Sequence, residues 1–555
     1  MNNRIRFSGL ASGMDTESIV KQLMKAKRMR VDNFVKDKTK MEWKRDAYHD
    51  VNKNLATFIM DQRKKLGLTD YTYMGKLNPR SIDKVNWAKK VTTTDSNVFT
   101  ATASGKAQDG ELSLKVAQLA KSASVRSTVS EIGYDDRLEE DVNMSINVNG
   151  EDKTFTIKKG TKYGVAVERI AKETGLSVSF GKVGQVNTPA GMHDAYMFSM
   201  STKETGADKN IKFNDAATLG FFKKFGIGND EFKGQNSEIY INGGSQKIEN
   251  TSNEFDVNGM RVSLKGVSET VGKDSHGDPI LKEVKAKVTT DNDAIFDKIK
   301  EFVDGYNKVV GDLQDKLKEK SYRSYQPLTA EEKEALKDSD IKLLEEKAKS
   351  GLFRSDSAIS KMLGDVREGL YRTVEGAHAI HEIGIETGKY TEGAKLFIDE
   401  DKLRAAIAED PKKVLDTLFK SPDDISDYTI KSGDSAEEIA RKRAGAKAQR
   451  DNTGVFVRIM DDMASGMKDI VKEAGAGNES NLLKSVRGNI MAGVVSGQSN
   501  LEYNITKMQG RIDEENRRLN DYENSLWNKF AAMEKAIQQM RDQSGWIGQQ
   551  MGMGA

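Results

Sequence analysis

TESIVKQLMKAKRMRVDNFVKDKTKMEWKRDAYHDVNKNLATFIMDQRKKL, residues 16–66, reads as one long helix. Asp15 stands where a helix wants its N-cap, and Glu17 lies in the first turn, where the helix dipole favours an anion. Val20, Met24, Val31, Phe34, Met41, Tyr48, Leu55 and Ile59 follow an alternating three/four spacing. Lys27, Lys38, Arg45 and Asn52 interrupt the same stripe, so the seam is imperfect. Gly67 and the stretch 69–75 end the helix.

Working outward, the far end of the chain mirrors this helix. From 499 to 545 the apolar stripe is Leu501, Ile505, Met508, Ile512, Leu519, Tyr522, Leu526, Phe530, Met533, Ile537 and Met540. Glu515 breaks it, and the step from Leu526 to Phe530 slips the register by one. Each helix would be ~70 Å long, beyond the usual globular length. Such stripes need a partner, which is either the other terminus or a neighbouring copy.

The middle has another texture. Residues 88–290 are rich in Val, Thr, Ser and Gly with two-residue alternation, the mark of half-buried strands. Asn149-Gly150, Asn242-Gly243 and Asn258-Gly259 each sit between alternating runs and predict hairpins. A short amphipathic helix is expected at 163–174. Helical pattern resumes at 291, where Ile295, Ile299, Phe302, Tyr306, Val309, Val310 and Leu313 share a face. Thr329-x-x-Glu332 resembles a capping box opening a helix that stops at Gly351, and further helices are expected at 357–374, 400–420 and 453–473. The order predicts an α+β multidomain chain: a terminal α-helical coiled coil and helices, with two antiparallel β domains inserted.

Composition narrows the function. The 555 residues hold 87 Lys+Arg against 85 Asp+Glu, a net charge of +2 that exerts no cationic pull on nucleic acid or an anionic membrane. The mean hydropathy is −0.64. With no cysteine in the chain, disulfides and thiolate chemistry are excluded. The N-terminus lacks an apolar run of signal-peptide length, and no stretch approaches the ~20 apolar residues of a membrane span.

Enzymatic signals are sparse. His378 and His381 could share a helix face, but no zinc-protease motif surrounds them. GIETGK at 384–389 is one residue short of a phosphate loop, and Tyr390 replaces the Ser/Thr that would hold Mg²⁺, so a turn between short strands is the better reading. YTIKSGDSAEEIARK, 428–442, resembles half of a lysin motif, a peptidoglycan-binding strand–turn–helix, and 154–175 has a similar rhythm. Neither has a second half. No catalytic, metal or cofactor residue is assigned.

Several motifs in order resemble one family, the flagellar filament cap proteins, also called hook-associated protein type 2. FSGLASGMDTESIVKQLM (7–24), ELSLKVAQLAKSASVRS (111–127), the 146–175 stretch, INGGSQKIENTSNEFDVNGMRVSLKGVS (241–268), YQPLTAEEKEALKDSDIKLLEEKAKSGLFRSDSAI (325–359), HEIGIETGKYTEGAKLFIDEDKLRAAIAEDPKKVLDTLF (381–419) and LWNKFAAMEKAIQQM (526–540) carry the likeness. The stretch 423–450 departs from the pattern and looks like an insertion. The resemblance implies a coiled-coil leg domain (1–42 with 500–555), a helical-bundle domain (43–86 with 291–499), a β head domain (87–132 with 236–290) and an outer β head domain (133–235). It also implies leg packing through Val20, Met24, Val31, Phe34 and the C-terminal stripe, and no cofactor. The implied partners are four to six copies of itself, flagellin, the hook–filament junction protein, a cytoplasmic export chaperone and the flagellar type III secretion apparatus, with no nucleic acid or membrane. The implied place is the distal tip of the flagellum, reached by export without a cleaved signal peptide.

Other readings compete with this one. A surface adhesin or glycan-binding module would suit the head domains and the lysin-like rhythm. An enzyme finds no support in the motifs. Flagellin or a junction protein would also place helical termini around β domains, but 325–359 and 526–540 favour the cap.

Overall fold

The computed structural model describes residues 15–71, 77–130, 132–188, 191–388, 393–421, 428, 430–431, 433–486 and 498–552. The start of the 7–24 motif and all of 423–427 lie outside them. The helices in chain order are α1 (Thr16–Lys65), α2 (Tyr163–Thr174), α3 (Ala216–Lys223), α4 (Asn292–Lys318), α5 (Ala330–Glu334), α6 (Asp338–Lys349) and α7 (Ser357–Tyr371). They are followed by α8 (Glu400–Glu409), α9 (Pro411–Phe419), α10 (Ala436–Asp451), α11 (Val455–Ala474), α12 (Ser480–Ser485) and α13 (Asn500–Gly552). The chain divides into a helical unit, 1–82 with 296–555, and a β unit, 83–295.

In the β unit every named strand pairing is antiparallel, as the alternating sequence requires, and two separate cores form. The first is closed by a five-stranded sheet, ordered Ile248–Asn250, Ser237–Ile241, Gly110–Gln118, Val284–Thr290 and Lys89–Thr93, and a three-stranded sheet around Met260–Leu264. Leu114, Val116, Ile239, Val262 and Ala286 are buried there. The second gathers Phe198, Phe213, Phe221, Phe222 and Phe225 with Ile146 and Ile170 between the Val142–Ile157 hairpin, the Ser177–Ser201 ribbon, α2 and α3. The strand Ser124–Arg126, expected with the first β domain, pairs with Ser199–Ser201 and places Val125 in the second core.

The hairpin signals are met by backbone geometry. Asn149 and Gly150 take φ of 53° and 89°, so Val148 faces Glu151 across a two-residue turn. Asn258-Gly259 does the same between Val257 and Met260. Asn242-Gly243 also turns, but pairing resumes only at Ile239↔Ile248, which leaves a longer loop than the two-residue device expected.

In the helical unit α1 runs as expected, with the Asp15 carboxylate accepting from the Ser18 amide. Its second half enters the bundle core through Tyr48, Val51, Leu55, Phe58 and Ile59. There Phe302 of α4 stacks on Phe456 of α11 at 4.0 Å, and Phe58 lies 5.8 Å from Phe302. Arg63 pairs with Asp461 of α11 at 2.7 Å.

Three expectations for this unit need correction. The helix expected over 329–351 is broken into α5 and α6. The capping box Thr329/Glu332 does form, but the acids Asp338 and Asp340 open a fresh first turn. The helix expected over 400–420 is likewise two. Asp410 ends α8 and caps α9 through the Lys413 amide, and Pro411 cannot continue the earlier helix because it lacks the N–H and clashes with the preceding turn. The half lysin-like stretch becomes α10, opened by a second capping box at Ser435/Glu438, with no strand among the described residues before it.

Candidate docking site: the terminal helix pair

α1 and α13 pack antiparallel along the first half of α1. Moving up α1 from Val20 to Lys27 to Arg30, the partners on α13 descend from Leu526 to Tyr522 to Glu515. Val20, Met24 and Leu526 are buried together, and Leu519, Tyr522, Trp527 and Phe530 pack against them. Val31 and Ile512 are also buried, while Phe34, Leu501, Ile505 and Met508 are half-buried. Met533 and Ile537 are half-buried, Met540 is 65% exposed, and the described positions from 541 to 548 are exposed. The expected stripe is therefore packed on α1 from Leu519 to Phe530, is buried or half-buried from Leu501 to Ile512, and opens out after Phe530.

Two of the interruptions, Lys27 and Glu515, have cross-helix partners, while Lys38 and Arg45 pair with Glu42 and Asp46 of their own helix. Lys27 lies 5.6 Å from the centre of the Tyr522 ring, where the cation meets the ring's negative face. Glu515 takes Arg30 at 3.4 Å from the other helix and Arg518 at 3.0 Å from its own. Trp527 was not singled out in the sequence. It fills the place where the register slips, and its N–H donates to Glu523 at 3.2 Å. Its signal was there, since an aromatic beside a four-residue step marks a widened seam. Asn52 marks the opposite case: it is 1% exposed in the bundle half of α1, and neither amide atom finds a partner among the described residues.

One hub holds α1 to the bundle, and a second ties the bundle together. Asp356, nearly buried, caps α7 through the Ala358 and Ile359 amides and accepts the Tyr48 hydroxyl at 2.6 Å and the Lys44 ammonium at 2.9 Å. Burial works to raise its carboxyl, but these hydrogen bonds outweigh it and hold it below the usual carboxylate range. At α11, the buried Arg458 donates to the carbonyls of Gly369, Arg372, Arg450 and Thr453, tying the ends of α7 and α10 together. Asp462 beside it pairs with Arg450, yet burial pushes its carboxyl up to about 6.

The remaining motifs fall as follows. Gly384, at φ 85°, precedes the strand Ile385–Thr387, which pairs with Leu396–Ile398; Lys389 of the loop-like motif lies outside the described residues. His378 meets Glu382 at 3.2 Å, and no group of three or more metal-ligating side chains occurs among the described residues. No described helix is long and apolar enough to cross a membrane.

The geometry defines a class: an α+β multidomain protein whose termini pair as long antiparallel helices and whose middle is an inserted antiparallel β unit. Residues 12–123 match the family described as Flagellar hook-associated protein 2 N-terminus, and residues 234–542 the corresponding C-terminus. A flagellar hook-associated protein 2 from Halalkalibacterium halodurans is 31% identical over 97% of this chain and 98% of its own. One from Thermotoga maritima is 26% identical over 62% of this chain and 46% of its own. The crystal structure of the flagellar cap protein FliD D1-D2-D3 domains from Escherichia coli covers 75% of this chain and 96% of its own, at 18% identity and a TM-score of 0.45. The chain belongs to the flagellar hook-associated protein 2 family, the flagellar cap proteins. The stretch 124–233, which builds most of the second β core, lies between the two matched segments.

Proposed function

We propose that this chain forms an oligomeric cap at the distal tip of the flagellar filament, where it retains exported flagellin and promotes its folding and polymerisation. Its role is mechanical and non-enzymatic. The observation that carries the reading is the paired α1 and α13 in a chain of this family: a long, interrupted helix pair rooted in a packed bundle. A short buried seam can separate and re-form more easily than a perfect heptad repeat, because release rate follows the buried contact. The β unit serves as the head that confines an emerging subunit, which raises its local concentration. We assign the leg to 1–42 with 500–555, the bundle to 43–86 with 291–499, the inner head to 87–132 with 236–290 and the outer head to 133–235, with Ser124–Arg126 moved to the outer head. Flagellin, the junction protein, an export chaperone and the flagellar secretion apparatus are the partners this role requires.

The test is complementation. A strain lacking this gene should release flagellin into the medium and carry short or no filaments, and the intact chain should restore growth. Leu526→Asp places a carboxylate in the buried Val20–Met24–Leu526 cluster and should fail to restore it while the β unit stays folded. Normal filaments from that variant would refute the leg assignment, and normal filaments without the gene would refute the cap.

A further inference from the structure

The arm made by α5 and α6 carries unpaired charge of opposite sign at its two ends. At the start, Glu331, Glu334, Asp338 and Asp340 are exposed and make no ion pair among the described residues. Asp32 of α1 stands close enough to Glu331 and Glu332 to feel both, with Lys36 and Arg28 as the local counter-charges. At the far end Lys320, Lys347 and Lys349 also lack a carboxylate partner among the described residues. Each lies over a ring instead: Tyr322 at 4.9 Å, Tyr325 at 5.0 Å and Trp43 at 4.8 Å. Tyr322 and Tyr325 meet edge-on at 6.2 Å, and the Ser350 hydroxyl accepts from the Tyr322 amide, so this is one cluster. Glu346 is exposed here, and Glu319 accepts the Gly351 amide.

A helix favours acids at its start and bases at its end, which accounts for the sign of each end. It does not account for what lies between them. Leu343 is 53% exposed on α6 and Leu336 is exposed just before it, while Tyr322 is 41% exposed at the basic end. An apolar strip bounded by opposite charges is the make-up of a contact surface. Asp338 and Asp340 lie about 10–17 Å along α6 from Lys347 and Lys349, too far to pair with them within one copy, while the cation of α5, Lys333, is already taken by Glu345 at 2.6 Å. We propose that the basic, aromatic end of this arm in one copy docks on the acidic end of the same arm in a second copy. The contact is heterologous, so repetition generates a ring where the rotation between neighbours closes. It rests on the reading of the chain as an oligomer and names the surface that joins neighbouring bundles.

The experiment uses the full chain and reads its mass distribution by analytical ultracentrifugation over a range of concentrations at low and high salt. Circular dichroism establishes that each variant keeps its helix content. Lys347→Glu with Lys349→Glu should raise the concentration needed for assembly about tenfold or more, and so should Glu334→Lys with Asp340→Lys. Mixing the two variants puts an acid against a base wherever they alternate, so the mixture should assemble at a lower concentration than either variant alone. The milder pair Lys347→Gln and Lys349→Gln should weaken assembly less and flatten its salt dependence. Reversed variants that assemble normally, or a mixture that stays dissociated, would overturn the contact and leave the cap reading standing. Charge-dependent assembly in a chain that never elongates filaments would instead count against the cap reading and leave the contact in place.

Discussion

Removing the Asp356 carboxylate should loosen α7 from α1 by roughly 3 kcal/mol, the sum of a lost cap, an orphaned Tyr48 hydroxyl and a weakened ion pair. The cap to Ala358 and Ile359 accounts for about 1 kcal/mol of this. The buried Tyr48 hydroxyl loses its acceptor at 2.6 Å, which costs about 1–3 kcal/mol. The Lys44 pair adds less than about 1 kcal/mol, since that side chain is partly in water. The three share one carboxylate and will not add strictly. Asp356→Ala is therefore expected to lower the urea midpoint of the helical unit, followed by helix signal, and to speed amide exchange in α7 and around Tyr48. Asp356→Asn keeps an acceptor for the cap and should recover about 1 kcal/mol of the loss. The pH dependence has a definite sign. The folded carboxyl lies below its unfolded value, so its contribution is present above the unfolded value of about 4 and is lost as pH falls through the lower folded value. A loss within about 0.5 kcal/mol of zero for Asp356→Ala would refute the reasoning, because that is the range of an unremarkable surface change.

Asp462 should behave in the opposite sense. Its folded value of about 6 lies above the unfolded one, so acidification from above 6 toward 4 stabilises the helical unit, and Asp462→Asn should remove that slope from urea melts taken across the range. Asn52→Leu should raise stability by about 1–2 kcal/mol, because an amide buried without a partner is exchanged for an apolar group of similar size; an unchanged or lower urea midpoint would show that the site relies on the amide. Gly150→Ala, at φ 89°, should destabilise the β unit by about 1 kcal/mol and so lower its melting midpoint without changing its fold.

Features specified by neighbouring residues were legible in the sequence. The Asp15 cap, the 163–174 helix and the Asn-Gly turns at 149 and 258 are set within a few positions, and they stand where their signals put them. Pro411 was an equally local signal that the helical pattern around it hid. Partners remote in the chain left less trace. Asp356 meets Tyr48 across 308 positions, and Arg458 joins carbonyls of α7 and α10, so neither could be read as a hub from spacing alone. The docking stripe was half legible. Its apolar positions were visible, but whether Lys27 and Glu515 weakened it depended on what faced them, and Tyr522 and Arg30 do so only once the antiparallel register is known.

That register leads to a gradient of stability along a single helix. In α1 the pair half, 16–40, buries Val20, Met24 and Val31 as its large apolar side chains. The bundle half buries Tyr48, Val51, Leu55, Phe58 and Ile59. Two further full burials, at ~1.5–3 kcal/mol each, separate the halves by about 3–6 kcal/mol. Local opening should follow the same order, so amides at 17–35 should exchange at least ~100-fold faster than those at 50–62 in the isolated chain. The helix would then be anchored at one end and releasable at the other, which is what a leg that docks, detaches and docks again needs. Assembly should erase the difference by supplying partners for the exposed positions on α13 beyond Phe530, Met540 among them. Equal protection along α1 in a monomer would show that the pair is as firmly closed as the bundle, and a leg of that kind could not step.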